Sequence, residues 1–340
     1  MTEPLLDVPA LADFVIRPPK MEDAQAVSDL SNTHSQHLFG TNQSEAVDFE
    51  SAWQSPGFDL ENSARLVFTR EGQLVAYFDV RDQQAPHVRI RVNVLVHPDF
   101  QESGMPEAML AWVEARAREA VSKAPDGAQV IMATNTNHID TWKKKLLEGH
   151  GMEVIRYFLR MGIEFDEPPQ LSVVPEGIML RPYDPETELE KLALIYKDSF
   201  RDHFGYVDEP QEEMIKALQH WIATDPDHDP ELWLVAADGD RLAALAICVP
   251  RVVEDPEMGA VYILGVGREW RGQGLGMAIL RYAFTELHKK GCKRVSLDVD
   301  ASSLTGATRL YEKAGMSVYR QFDAYSKILR EGEDISTTAL

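Results

Sequence analysis

The sequence predicts a mixed α/β fold built twice, each copy a mixed, mostly antiparallel sheet flanked by helices. Three observations lead there. The two halves of the chain repeat one another. Hairpin-linked strands alternate with amphipathic helices in each half. In each half a strand also runs into a glycine-containing turn that opens a helix.

The repeat rests on three matches that keep their order. Ile16-Arg17-Pro18 returns as Leu180-Arg181-Pro182, an offset of 164. Val96 and Gly104 match Val266 and Gly274 at an offset of 170, and Leu146 and Gly151 match Leu310 and Gly315 at 164. Two copies make a tandem pair, not a solenoid. The stretch DEPPQLSVVPEG, residues 166–177, has three prolines and little periodicity, and reads as a linker. The expected division is a first domain over 1–165, this linker, a second domain over 178–330, and a tail over 331–340.

In the second half the elements follow in order. An opening strand reaches Arg181-Pro182. PETELEKLALIYKDSF carries Leu189, Leu192, Ile195 and Tyr196 on one helical face. LWLVAADGDRLAALAICV is a hairpin turning at Asp238-Gly239-Asp240. AVYILGV is the strand that feeds the glycine stretch, and Leu280, Ala283 and Leu287 mark the helix behind it. KRVSLDV is a strand, a short helix ends at Gly315, and SVYRQFDAYSKIL is the closing strand. The first half repeats the pattern, with its hairpin turning at Glu71-Gly72 and VRIRVNVLV as the feeding strand. Crossovers through helices make each sheet mixed.

Composition narrows the function. Hydrophobic residues make up 44% of 340, enough for a core in each half. No apolar run reaches the ~18 residues of a membrane span, and the acidic start MTEPLLDVPALADF lacks the form of a signal peptide. Cys248 and Cys292 read as small core hydrophobes in a reducing cytoplasm. A net charge of -21 argues against nucleic acid and anionic membranes as partners. The charge is uneven. Residues 201–260 hold fourteen Asp/Glu against four Lys/Arg, while residues 267–295 hold seven Lys/Arg against two Asp/Glu. Two readings stay open: a solvated acidic surface, or a cation-attracting segment beside an anion site.

The anion site is suggested by VGREWRGQGLGMAIL, residues 266–280. A strand-to-helix junction exposes unpaired N–H groups at the positive end of the helix dipole. Glycines let a ligand reach that backbone, and Arg271 adds a forked cation. A pyrophosphate suits such a cradle. The dinucleotide fingerprint fails, because Met277 stands where its last glycine belongs, and the P-loop pattern is absent.

Arg271-x-x-Gly274-x-Gly276 resembles the acyl-CoA signature of the GNAT superfamily of N-acetyltransferases. Further on, VDASSLTGATRLYEKAGM is similar to that family's second motif, matched by Ala307, Leu310, Tyr311, Gly315 and Met316. The resemblance covers roughly residues 178–329, is weaker in the first half, and in its tandem layout is similar to the mycothiol synthase type. It implies acetyl-CoA as co-substrate and no metal. It places the pantetheine arm along Leu264, Gly265 and Val266. It places the pyrophosphate on the backbone of Arg271, Gly272, Gln273, Gly274, Leu275, Gly276 and Met277. The family's cofactor-holding loop Asn falls at Ser303, a shorter side chain.

The resemblance also implies the chemistry. Tyr311 stands where the family keeps the acid that protonates the departing thiolate, and a phenol of pKa ~10 can donate. The base is open. Ala260 occupies the place of the Glu that precedes the central strand's Val-Tyr in mycothiol synthase-like proteins. Glu254, Asp255 and Glu257 lie just upstream, and Asp202 and His203 follow the first helix, where acceptors dock in this family. The first half departs further. Pro106 replaces the last glycine of its turn, and Leu147 takes the place of the acid, so this half is expected to be catalytically silent. A metal at His34 and His37 lacks a nearby third ligand.

The expectation is a cytoplasmic acetyl-CoA-dependent N-acetyltransferase of a small cationic or neutral amine. Its rivals are an acyl-CoA-binding module without turnover and a protein N-acetyltransferase. The acceptor, the base and the oligomeric state stay open at the level of sequence.

Overall fold

The computed structural model describes residues 3–303 and 306–337. The first half supplies β1 (Phe14–Arg17), α1 (Ala24–Phe39), α2 (Ala46–Trp53), α3 (Leu60–Ser63), β2 (Ala64–Thr69) and β3 (Leu74–Arg81). It continues with β4 (Arg89–Val96), α4 (Met105–Glu119), β5 (Val130–Asn137), α5 (Thr141–Gly149) and β6 (Glu153–Glu164). The second half supplies β7 (Ile178–Pro182), α6 (Leu189–Phe200), α7 (Gln211–Thr224), β8 (Trp233–Asp238) and β9 (Arg241–Val249). It ends with β10 (Met258–Val266), α8 (Leu275–Lys289), β11 (Arg294–Asp300), α9 (Ala307–Lys313) and β12 (Ser317–Arg330). Residues 165–175 carry neither helix nor strand.

Two compact units form, and each contains a piece of the other half's sequence. The first comprises Met1–Arg156 with Phe322–Ile335, and the second Tyr157–Gln321 with Ser336–Leu340. In the first unit the strand order is β1-β2-β3-β4-β5-β12. In the second it is β6-β11-β10-β9-β8-β7. Each half of the chain therefore sends its last strand into the sheet of the other. β12 pairs antiparallel with β5, Asp323 opposite Thr136, and β6 pairs antiparallel with β11, Arg160 opposite Asp298. The division by sequence halves at 166–177 does not anticipate this, because the repeat orders the strands without saying which sheet each one joins.

Each sheet is mostly antiparallel with one parallel pair, β4–β5 in the first unit and β10–β11 in the second. That is the mixed fold the alternation of hairpins and crossovers predicts. In the second unit the alternation along β8 and β9 sorts side chains between two cores. Leu234, Ala236, Ala244 and Ala246 face α8 with Ile279, Leu280, Ala283 and Leu287. Trp233, Val235, Leu245 and Ile247 face α6 and α7 with Leu192, Ile195 and Leu218. Burying both faces explains why β9 is apolar almost throughout. The expected Asp238-Gly239-Asp240 turn joins the two strands, with Gly239 at a φ of +58°. In the first unit, α1 and α2 cover β2 and β3 through Val27, Leu30, Trp53, Leu66 and Tyr77.

Candidate functional site

The glycine turn begins where β10 ends at Val266. A short 3-10 turn, Arg268–Trp270, leads to Arg271, and α8 starts at Leu275. Gly272 and Gly274 have φ of +76° and +85°, in the left-handed region that side chains disfavour. A Cβ on either would meet nothing within 4 Å, so it is backbone twist that calls for glycine at both. The N–H groups from Gly272 to Met277 donate to no described residue. The first turn of α8 carries no acidic side chain. Helix dipole and free donors together favour an anion here. Gly276 lies under α9, where a Cβ would stand 3.2 Å from Leu310 Cδ1.

β10 and β11 part beside this turn. They pair only from Met258–Arg294 to Val261–Leu297. Beyond that, β10 stays with β9 as far as Val266, and β11 stays with β6 as far as Asp300. Leu264, Gly265 and Val266 thus line one lip of an opening whose facing backbone groups lack a strand partner. Leu264 and Val266 pack toward α8 and α9. Gly265 faces α6, where a Cβ would come within 2.7 Å of Ser199 Cβ. A bulge at Tyr262 shifts the register with β9.

Tyr311 lies in α9 within the apolar cluster of Leu275, Val299, Leu264 and Val266. Its ring is buried, no described residue hydrogen-bonds its hydroxyl, and burial pushes the phenol up to about 12. Ser303 sits in the turn after β11, with its N–H donating to Asp300 O at 3.0 Å. Leu304 and Thr305, in the same motif, lie outside the described residues.

Arg271, Asp202 and His203 come together, with Arg271 in an unanticipated role. The Arg271 guanidinium donates to both carboxylate oxygens of Asp202, to Ser199 O at 2.8 Å and to Val266 O at 3.1 Å. Its side chain ties the glycine turn to the end of α6, and the turn's own N–H groups are left to face an anion. The hydrogen bond from Arg271 holds the Asp202 carboxyl below its ordinary range. His203 packs its ring on Phe200, with centroids 4.6 Å apart, and burial lowers its pKa.

The acidic and basic segments read from the sequence are joined in part by ion pairs. Lys290 pairs with Asp229 and Glu231, each at 2.6 Å, Lys293 with Glu257 at 2.5 Å, and Arg294 with Asp255 at 2.7 Å. Glu254 is held by Arg320 at 2.9 Å. The three carboxylates upstream of β10 are thus all ion-paired. Beside Ala260 the structure sets side chains that the sequence did not single out. Ala260 is level with Ser296 on β11, which is opposite Gly162 on β6. The Tyr319 ring covers Gly162, its hydroxyl 3.4 Å from Glu254, and Arg160 binds Asp298 through two bonds of 2.8 and 2.9 Å. Only the β6–β11 register reveals this group.

The first unit has a matching but altered turn. β4 and β5 also part, after Arg91 and Ala133, and Gly104 caps α4 at a φ of +77°. There the Met105 N–H is already taken by Ser103 Oγ at 3.3 Å, Pro106 has no N–H, and Glu107 adds a negative charge. Leu147, in the place of the tyrosine, is fully buried. His34 donates through Nε2 to Asp140 at 3.0 Å, and no metal-holding group of three exists among the described residues.

Comparison with known proteins bears on the same residues. A family profile described as "Acetyltransferase (GNAT) family" matches residues 189–316. The mycothiol acetyltransferase of Thermobispora bispora is 26% identical over 259 residues, covering 75% of this chain and 81% of that protein. That of Thermomonospora curvata is 29% identical over 263 residues, covering 75% and 80%. The crystal structure of a GCN5-related N-acetyltransferase from Sphaerobacter thermophilus is 30% identical with a TM-score of 0.76, covering 96% of this chain and 99% of that one. A tandem GNAT protein from the clavulanic acid biosynthesis pathway shares the fold at 14% identity and a TM-score of 0.69, over 94% of this chain and all of its own.

Proposed function

We propose that the chain, which belongs to the GNAT family and is an acetyl-CoA-dependent N-acetyltransferase of a small amine, carries its chemistry on the second unit. The observation that carries the assignment is the parting of β10 from β11 beside a turn of free N–H groups. We assign the pantetheine arm to Leu264, Gly265 and Val266 and the pyrophosphate to the backbone from Gly272 to Met277, the Arg271 N–H being taken by Arg268 O at 3.4 Å, with Ser303 at the far lip. The first unit acts as a supporting domain, because Pro106, Glu107 and the capped Met105 leave little for a phosphate to bind.

The thioester supplies an acyl carbon open to attack by the amine. The amine needs to arrive neutral, against an ammonium pKa of ~10.4 for a lysine-like group. As the C–N bond forms and the C–S bond breaks, Tyr311 donates its phenolic proton to the departing sulfur, and the proton shed by the acylated nitrogen passes through solvent back to the tyrosinate. The phenol holds its proton at neutral pH at its ordinary pKa of ~10 and burial raises it further, while the same apolar surroundings raise the thiolate's basicity. Asp202 serves in this scheme by orienting Arg271, and His203 stays neutral beside it. The relatives named mycothiol acetyltransferases put a mycothiol-type amine first among acceptors to try. Ala260 in place of the resembled glutamate favours a different small amine, and the acidic segment 201–260 favours one that is cationic or neutral. The unpaired, buried Cys248 and Cys292 agree with a reducing cytoplasm.

The test is an acetyl-transfer screen over a panel of amines, following release of free thiol. Turnover with a small amine is expected. Acetyl-CoA binding without turnover on any amine, peptides included, would leave the non-catalytic module in its place.

A further inference from the structure

The residues beyond β12 have no part in the chemistry above, yet Thr337 is tied three times to the segment between α6 and α7. Its carbonyl accepts from Gly205 N–H at 2.8 Å, its N–H donates to Tyr206 O at 2.7 Å, and its hydroxyl donates to Arg201 O at 2.9 Å. All of these residues belong to the second unit. The segment they hold, residues 201–210, has no helix or strand of its own. Its far end is fixed separately, by Lys197 donating to Glu209 O at 2.5 Å and by the Tyr206 hydroxyl donating to Asp208 at 2.8 Å. Its near end carries Asp202, the partner of Arg271 at the start of the glycine turn.

The Asp202–Arg271 pair cannot hold this segment unaided. Both side chains are partly exposed, at 39% and 28%, and an ion pair so open to water contributes little by itself. Three hydrogen bonds at Arg201, Gly205 and Tyr206 bracket Asp202 on both sides and fix the backbone that presents its carboxylate. A segment that had to be ordered on binding would charge its conformational entropy to the ligand.

We propose that Thr337 is a positioning residue for acetyl-CoA: a strap that pre-orders residues 201–206, so that Asp202 sets Arg271 and Arg271 sets the glycine turn. This rests on the reading of that turn as the pyrophosphate site. The strap touches no reacting atom. Its signature is therefore in acetyl-CoA affinity, with the chemical step unchanged.

The experiment uses the full-length enzyme, a chain ended after Ile335, Thr337→Pro and Thr337→Ser. Proline removes the N–H that Tyr206 O accepts, and serine keeps every bond of the strap. Loss of the strap is expected to raise the acetyl-CoA KM and Kd about five-fold, about 1 kcal/mol, in the shortened chain and in Thr337→Pro. The kcat and the amine KM are expected to stay within about two-fold, and Thr337→Ser to match the parent. An unchanged acetyl-CoA KM in the shortened chain overturns the proposal, as does a kcat that falls in step with affinity. Gly274→Glu, measured alongside, separates the two levels. If it abolishes binding while the shortened chain binds normally, the strap alone is wrong. If it leaves binding intact, the turn itself has been misread.

Discussion

Tyr311→Phe separates catalysis from packing. The ring is 7% exposed in the cluster with Leu275 and Val299, and its hydroxyl has no hydrogen bond to a described residue. Deleting that oxygen leaves the packing in place, so stability at pH 7 should change by less than about 0.5 kcal/mol. The loss of a positioned acid should lower kcat roughly 10²–10⁴-fold, about 2.7–5.5 kcal/mol of barrier, with acetyl-CoA affinity retained. A second, independent readout follows from burial. The phenol ionises near 10 in the unfolded chain and is pushed up to about 12 in the folded one. Its contribution to stability is complete below pH 10 and is lost as pH rises toward 12. At pH 10.5 the loss is on the order of 1 kcal/mol, growing to about 3 kcal/mol beyond pH 12. The phenylalanine variant lacks this group and should lose correspondingly less. Thiol release at saturating amine measures the first effect, and urea unfolding of both proteins at pH 7 and 10.5 the second. Parent-like turnover would refute the role as acid. Equal alkaline losses in the two proteins would refute the burial argument.

Three further outcomes are expected. Gly274→Glu strains a backbone at φ +85° by about 1 kcal/mol and brings a carboxylate to the free N–H groups; calorimetry should find a single strong acetyl-CoA site in the parent and none in the variant. Two sites of equal affinity in the parent would contradict the silent first half. Asp202→Asn should raise the acetyl-CoA KM a few-fold, about 1 kcal/mol after allowing for exposure, and spare the amine KM; the reverse pattern would return Asp202 to the acceptor. Glu114 is pushed up by burial, but bonds from Lys327 and Arg118 outweigh this and hold it at about 2. Its contribution is present above pH 4.5 and lost as pH falls toward 2. Glu114→Gln should therefore cost about 1–2 kcal/mol at neutral pH and flatten the acid limb of unfolding, and parent-like acid unfolding would count against the Lys327 contact.

What the sequence disclosed was local. Periodicity placed the helices and hairpins, because burial acts through spacings of two or three to four residues. The glycine turn was legible for the same reason: Gly272 and Gly274 are required by their own backbone angles. What stayed hidden depends on distant pairing. Arg271 finds Asp202 69 positions away, and Arg160 meets Asp298 138 positions away through a strand register. The uneven charge was visible, but its main use was not. Lys290, Lys293 and Arg294 meet the carboxylates of the acidic segment directly, which leaves less of a long-range field than the counts suggest. Strand destination was hidden altogether, because β6 and β12 close their halves of the sequence alike.

The exchanged final strands make the order of synthesis matter. While the chain emerges from the ribosome, β5 has no partner on its outer side until Phe322–Arg330 appear. Residues 157–321 must be made first. At roughly 5–20 residues per second that is a wait of about 10–30 s, with an open strand edge exposed to other nascent chains. Crowding or a chaperone would act during this interval. When β12 does arrive, Lys327 binds Glu114 at 2.6 Å and Arg330 reaches Ala128 O at 2.9 Å, fastening the last strand to the oldest part of the chain. A gene cut at the repeat boundary would encode two sheets, each lacking the strand the other fragment carries.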